Sequence, residues 1–306
     1  MGQLENMQVF IRIVEAGGIG KAAEQMDLAK SVVSRRLAEL ESTLGIQLLQ
    51  RTTRRLNLTE AGKLYYERAL HVWDAVNEMN DLSETGDAEL EGLLRISVPM
   101  SFGLSHLSQA LEAFISQHPK LNLQIDFSDR QVDMMTEGLD LAFRISELQD
   151  STMQARKIVP IEFALVASPA YLKQNGTPEQ PADLQSHCQL RYGAAQQVQW
   201  HFMDSAGRKF THSVSGQISA NNGDFLCQMA INGQGLVLLP TFIAWQAIQA
   251  GMLVKVLPDY KIASMSAYAV YPQNRFLPKK SRELIDFLVA YFKDNVYWDK
   301  AVANPE

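Results

Sequence analysis

Apolar residues recur at helical spacing three times in the first 85 residues, and then give way to short apolar runs alternating with helices. Met7, Phe10, Ile11 and Val14 form one stripe along a helix expected over residues 4–16, which Gly17 and Gly18 stop. A short helix is expected over 21–26, a tight turn over 27–29, and a second amphipathic helix over 31–44. That helix turns Val33, Leu37, Leu40 and Leu44 inward and stops at Gly45. Two short apolar runs, 46–49 and 56–58, flank Gln50-Arg51-Thr52-Thr53-Arg54-Arg55 and predict a small hairpin.

Thr59 and Glu60 then open a long helix. Ala61, Leu64, Tyr65, Ala69, Val72, Trp73, Val76, Met79 and Leu82 recur at steps of three and four, and no proline or glycine interrupts residues 63–85. At about 1.5 Å per residue such a helix exceeds roughly 30 Å. A long apolar stripe needs a partner, and an antiparallel copy of itself is the simplest one, with Leu64, Tyr65, Val72, Trp73, Val76 and Met79 as the expected dimer contacts. The polar segment 84–89, with Gly86, is expected to be a hinge.

From Gly92 the pattern alternates strand and helix. Strands are expected over 93–98, 121–127, 139–145, 160–167 and 267–271; helices over 102–118, 132–136, 170–175 and 281–292. Alternation of this kind implies parallel sheets with helical crossovers. One unit would run over 92–159 and a second over 160–266. The final strand and helix, within 267–296, would return to the first unit, giving two lobes with a cleft between them. The expected domains are thus 1–59, 60–91 and 92–306.

Charge sharpens the picture of the head. The chain of 306 residues has a net charge of −6. From Leu28 to Leu58 six basic residues face two acidic ones, a local +4 of opposite sign to the rest. Lys30, Ser31, Ser34, Arg35 and Arg36 crowd the start of the second helix, where small polar and cationic side chains suit entry into a DNA major groove. Arg51, Arg54 and Arg55 would meet phosphates or the minor groove, with Thr52 as a hydroxyl donor. A solvated basic helix is the alternative, and a helix-turn-helix spacing followed by a basic hairpin disfavours it.

Composition excludes several classes. The apolar fraction of 46% supports sizeable cores. No basic-then-apolar stretch opens the chain and no long apolar run spans it, so a cytoplasmic protein is expected. Two cysteines, Cys188 and Cys227, are too few for a disulfide framework and fit small buried thiols better than a redox pair. No catalytic motif and no metal-ligand spacing is expected.

These marks carry a resemblance. Ala22-Ala23, Val33-Ser34, Leu40-Glu41, Leu44-Gly45, the run ending at Arg51 and the LTEAG segment from Leu58 to Gly62 resemble the winged helix-turn-helix of the LysR-type transcriptional regulators. LRISVP from Leu94, DLAFRI from Asp140, SPAYL from Ser168, ANNGD from Ala220 and GLVLLP from Gly235 resemble the effector-binding domain of that family, on the CrgA-like branch. The resemblance implies an α/β chain with an all-α winged helix-turn-helix at its N-terminus. It also implies a linker helix and a two-lobed body folded like periplasmic solute-binding proteins. Three departures stand at the recognition helix. Ala29 stands where members usually carry a capping serine, with Ser31 as a substitute cap further along; Ser31 itself stands where proline is common; and Lys30 replaces a frequent polar residue at a base-facing position.

In doubly wound folds ligands sit beyond the carboxyl ends of strands. Those ends bring Met100, Ser101 and Phe102, then Ser128 and Asp129, then Arg144 to the cleft, with Tyr192, Phe202 and Asn222 as walls from the other lobe. A helix start at Ser101 favours an anion, so an anionic or aromatic small-molecule effector is expected, and no other cofactor. The partners implied are double-stranded promoter DNA, a second copy in a dimer or homotetramer, and RNA polymerase; no membrane is implied. A solute-binding protein would lack the basic head, and an enzyme would need a motif that is missing. Regulation through Cys188 or Cys227 is a further alternative.

Overall fold

The computed structural model describes residues 2–50, 57–81, 89–130, 133–134, 137–146, 153–193, 195, 198–272 and 277–303, apart from a few side chains in the long helix and near the C-terminus. Its internal contacts divide the chain into two compact units, Met1–Ala88 and Glu89–Glu306.

The first unit is helical. Helices α1 (Gln3–Glu15), α2 (Ile19–Gln25) and α3 (Lys30–Leu44) enclose a core of Val9, Phe10, Ile13, Ala22, Ala23, Val33, Leu37 and Leu40. The turn into α3 uses Asp27 at φ 52°, a left-handed conformation that aspartate tolerates. Gly45 ends α3 at φ 68°, where the absence of Cβ removes the strain. Ala29 is the N-cap of α3 and makes no side-chain cap bond. Ser31 lies inside the first turn, so it does not replace the missing cap.

The hairpin is present as β1 (Leu49–Gln50) paired antiparallel to β2 (Asn57–Leu58). Its turn, with Arg51, Thr52, Arg54 and Arg55, lies outside the described residues. Helix α4 (Glu60–Asp81) follows at once. Thr59 caps it: its Oγ1 accepts from the Gly62 amide at 2.9 Å and donates to the Gln47 carbonyl at 2.7 Å. Gly62 itself sits on the Leu48 carbonyl, where a Cβ would stand 2.0 Å from the oxygen. The LTEAG phrase is therefore a physical joint that fixes the hairpin to the start of α4.

The second unit has two lobes. Lobe I begins with β3 (Gly92–Val98), a short α5 (Met100–Phe102), a π-helical turn over Gly103–Leu107 and α6 (Ser108–Gln117). The sequence pattern predicted one continuous helix here. The π turn starts at Gly103, where a Cβ would come within 2.7 Å of Val98 and 2.9 Å of Phe127. Strands β4 (Leu121–Phe127), β5 (Leu141–Ser146) and β6 (Met153–Ile161) continue the lobe. Of the helix expected over 132–136, most lies outside the described residues.

The chain crosses at Glu162 into lobe II, which is built from β7 (Phe163–Ala167), α7 (Pro169–Asn175), β8 (Gln189–Tyr192), β9 (Val198–Met203), β10 (Lys209–Val214), β11 (Ile218–Ala220), α8 (Gly223–Ile231), β12 (Leu236–Pro240), α9 (Thr241–Gln249), β13 (Val254–Lys255) and β14 (Lys261–Ile262). It crosses back before β15 (Met265–Pro272), α10 (Lys279–Asp294) and α11 (Tyr297–Ala303). The single strand expected over 160–167 is thus two strands broken at the crossing.

The sheets are mixed rather than parallel. Lobe I has the order β4-β3-β5-β15-β6, with β15 antiparallel to both neighbours because it returns from the other lobe. Lobe II has the order β11-β8-β12-β7-β13, with β7 antiparallel to β12. A three-stranded antiparallel sheet, β10-β9-β14, is a further element that the pattern did not predict. Trp298, Phe102, Phe292 and Phe242 fill the largest core, sealing α11 against lobe I and α9.

The Gly62 joint makes a direct prediction. Gly62→Ala forces a side chain onto a backbone carbonyl and lowers the stability of the first unit by roughly 1–3 kcal/mol. Urea unfolding followed by circular dichroism measures this, and an unchanged transition contradicts the contact.

Candidate functional site

On the head, α3 turns Val33, Leu37 and Leu40 into the core, which leaves Lys30, Ser31, Ser34 and Arg35 exposed together. Arg35 keeps a loose ion pair with Glu39 at 3.7 Å, both side chains open to solvent. Such a pair is worth little and does not compete with a stronger anion. This face suits acceptors on base edges and phosphates.

Arg36 does not belong to it. Its guanidinium turns away and donates to Glu5 of α1 at 2.9 Å, with the side chain 19% exposed. The structure thus makes Arg36 a tie between helices instead of a DNA contact. Glu41 is likewise structural: its Oε1 accepts from the amides of Leu48 and Leu49 at 2.7 and 3.1 Å, holding the hairpin against α3.

The dimer contacts expected on α4 divide in the same way. Tyr65 packs edge-on against Phe10 at 5.6 Å, and Tyr65 and Trp73 join Met7, Ile11 and Ala69 in the head's own core. These two, expected as dimer contacts, pack partly buried against the head and fasten α4 to α1. Leu64 and Val72 are large apolar side chains left exposed, and Val76 is half-buried. The side chain of Met79 lies outside the described residues.

Between the lobes the strand ends converge. Pro99 ends β3 and Met100 opens α5. The Met100 amide donates to Asp129 Oδ1 at 3.2 Å. Ser101 Oγ donates to Asp224 Oδ2 at 2.5 Å, a bond from lobe I to the first turn of α8 in lobe II. Asn222 caps α8 by accepting from the Phe225 amide at 2.8 Å, and its Nδ2 faces Met100 Sδ at 4.0 Å. Tyr192, half exposed at the end of β8, has its phenol pKa raised by burial and then by the nearby charge of Asp129. Met100, Ser101, Asp129, Tyr192 and Asn222 therefore meet at one cleft, as their places at strand ends predicted.

Arg144 joins them on the lobe I side. Its Nη2 donates to Ser97 Oγ at 3.0 Å and its Nη1 to its neighbour's carbonyl at 2.6 Å. Burial lowers its pKa, while Asp129 and Asp126 oppose that shift; a guanidinium stays charged under such a change. Ser128 faces its own turn, accepting from the Arg130 amide at 3.3 Å.

Phe102, expected at the cleft beside Ser101, and Phe202, expected as a wall from the other lobe, are core residues. Phe102 is 1% exposed and stacks among Phe242, Phe292 and Trp298. Phe202 is 2% exposed and packs in the lobe II core with Trp200 and Val214.

Two contacts had no separate signal in the sequence. Asp224 sits in the ANNGD phrase but meets a serine 123 positions away. His106, in the π turn, shares a hydrogen bond with Tyr297 Oη at 2.7 Å and another with the Phe242 carbonyl at 3.1 Å, so it joins lobe I to α9 and α11. Burial lowers its pKa.

The cysteines are both free thiols. Burial, then the charge of Asp224, pushes the Cys227 thiol up to about 11, which opposes the reactive thiolate. Cys188 is exposed. A maleimide at pH 8 is expected to label Cys188 and leave Cys227 untouched until the protein is unfolded; prompt labelling of Cys227 in the native protein contradicts this burial.

Comparison with known proteins agrees with the geometry. Residues 4–63 match the family described as bacterial regulatory helix-turn-helix protein, lysR family, and residues 87–293 match the LysR substrate binding domain. An uncharacterised helix-turn-helix transcriptional regulator of Haemophilus influenzae is 35% identical over 285 residues, covering 92% of this chain and 97% of its own length. CrgA of Neisseria meningitidis is 31% identical, and its solved structure aligns with a TM-score of 0.59 over 95% of this chain and 99% of the other. The full-length Vibrio cholerae virulence activator AphB aligns with a TM-score of 0.59 at 26% identity, over 95% and 100% of the two chains. Among the described residues no helix is long and apolar enough to cross a membrane. The chain belongs to the LysR family of bacterial helix-turn-helix transcription regulators, which carry an effector-binding domain.

Proposed function

We propose that this regulator reads promoter DNA with the exposed face of α3 and changes its operator contacts when a small molecule enters the cleft between the lobes. The exposed cluster of Lys30, Ser31, Ser34 and Arg35 carries the first half of this reading. Ser31, Ser34 and Arg35 are assigned to base edges, and Lys30 with Arg51, Thr52, Arg54 and Arg55 to the backbone. Met100, Ser101, Asp129, Arg144, Tyr192 and Asn222 are assigned to the effector, with Ser128 shaping their turn. The effector works by binding one lobe arrangement better than the other, and only by that difference.

The working form is proposed to be a cytoplasmic homotetramer, a dimer of dimers, free to touch RNA polymerase. Exposed Leu64 and Val72 on α4 support the first dimer contact. A groove of about 330 Å³ between α6 and the edge strand β4, lined by Leu104, Leu111, Ile115, Leu123, Ile125 and Phe127, supports a second contact with another copy on the body.

Mapping of bound DNA across the genome tests the head. Wild-type protein is expected at discrete promoter sites, and Arg35→Ala is expected to lose discrimination by about 1–3 kcal/mol. Arg36→Ala is expected to keep the same sites while lowering head stability. Affinity for a recovered site should fall steeply with salt. Equal loss in both variants, or binding indifferent to salt, sinks the assignment.

A further inference from the structure

The Met100 amide and the Ser101 hydroxyl, just past the end of β3, are donors of the kind that an anionic ligand would use. In this chain both donors are already taken by its own carboxylates. Asp129 holds the Met100 amide and Asp224, from the other lobe, holds the Ser101 hydroxyl. The charge around them is acidic on balance. Asp126, Asp129 and Asp224 stand against Arg144, whose guanidinium lies within reach of the fields of Asp126 and Asp129. Arg130 and Glu137 cancel each other in a two-pronged pair at 2.7 and 2.6 Å. A purely anionic molecule entering here would meet two carboxylates at the very place where its own would be expected to dock.

We propose that the cleft is built for a small zwitterion of the α-amino acid class, with its ammonium between Asp129 and Asp224 and its carboxylate on Arg144. This rests on the reading of the cleft as the effector site. Two carboxylates, one from each lobe, hold adjacent residues of α5 and are acceptors of the kind that an ammonium with three donors requires. Arg144 supplies a planar fork suited to a carboxylate, and its bonds to Ser97 and Phe143 use two of its five donors while fixing its direction. Tyr192, half exposed beside Asp129, offers a surface for the side chain of the ligand. The Ser101–Asp224 bond gives the ligand a lever: an ammonium that takes Asp224 competes with Ser101 for the contact that joins the lobes.

The test is thermal unfolding of the full-length protein with each of the twenty common α-amino acids. The best stabiliser is then compared with its N-acetyl derivative, which lacks the cation, and its decarboxylated amine, which lacks the anion. At least one amino acid is expected to raise Tm, and both derivatives are expected to bind at least tenfold more weakly by calorimetry. Asp224→Asn is expected to lose at least tenfold as well, and Asp129→Asn serves if that variant does not fold. If N-acetyl derivatives stabilise as well as the parent, or if both aspartate variants keep full affinity, the cleft is an effector site of another class and this inference falls alone. If no compound of any charge shifts Tm, the inference falls together with the assignment of the cleft.

Discussion

Ser101 of lobe I donates a hydrogen bond to Asp224 of lobe II at the mouth of the cleft. The chain crosses between the lobes twice, and side-chain contacts of this kind add to those crossings in setting the resting arrangement. His106 adds a buried second tie, through the Phe242 carbonyl and Tyr297. Ser101 and His106 are both buried, and Asp224, on the first turn of α8, is exposed. An exposed carboxylate is the member of these ties for which a charged ligand can compete.

The head follows the opposite principle, since every contact in it favours rigidity. Glu41 clamps the hairpin amides, Thr59 caps α4 and Gly62 lets that helix touch the Leu48 carbonyl. Tyr65 and Trp73 then weld α4 to α1. A reading face fixed in this way to the long helix has its position set by whatever α4 pairs with. In the proposed dimer, spacing between two heads would be set by that pairing, as recognition of paired half-sites requires.

Much of this was legible in the sequence, and the failures share a cause. Helices with strict apolar periodicity and glycine stops were read within a residue or two, because those signals are local. Residues at strand ends could be expected to gather because topology, given alternation, dictates where loops lie. Arg36 was misread because its partner, Glu5, is 31 residues away and a basic side chain on a helix face looks the same whether it meets DNA or a carboxylate. Phe102, beside a strand end, and Phe202, as a wall, were both expected at the cleft because the sequence does not tell an aromatic residue that faces a cleft from one packed behind it. Sheet β10-β9-β14 escaped because β14 is two residues long and pairs with a strand about 60 positions earlier. Asp224 was passed over inside a helix cap, although its acceptor role across the lobes now defines the charge of the cleft.

The central claim is that the contact across the cleft is coupled to the way the heads grip DNA. It is tested most directly by the bend angle and footprint of a promoter fragment bound by wild type and by Ser101→Ala. That substitution removes the hydroxyl between the lobes without touching the head. The account predicts a changed bend and a footprint of different length at comparable occupancy. Identical bend and footprint, with the variant folded and bound, would contradict it.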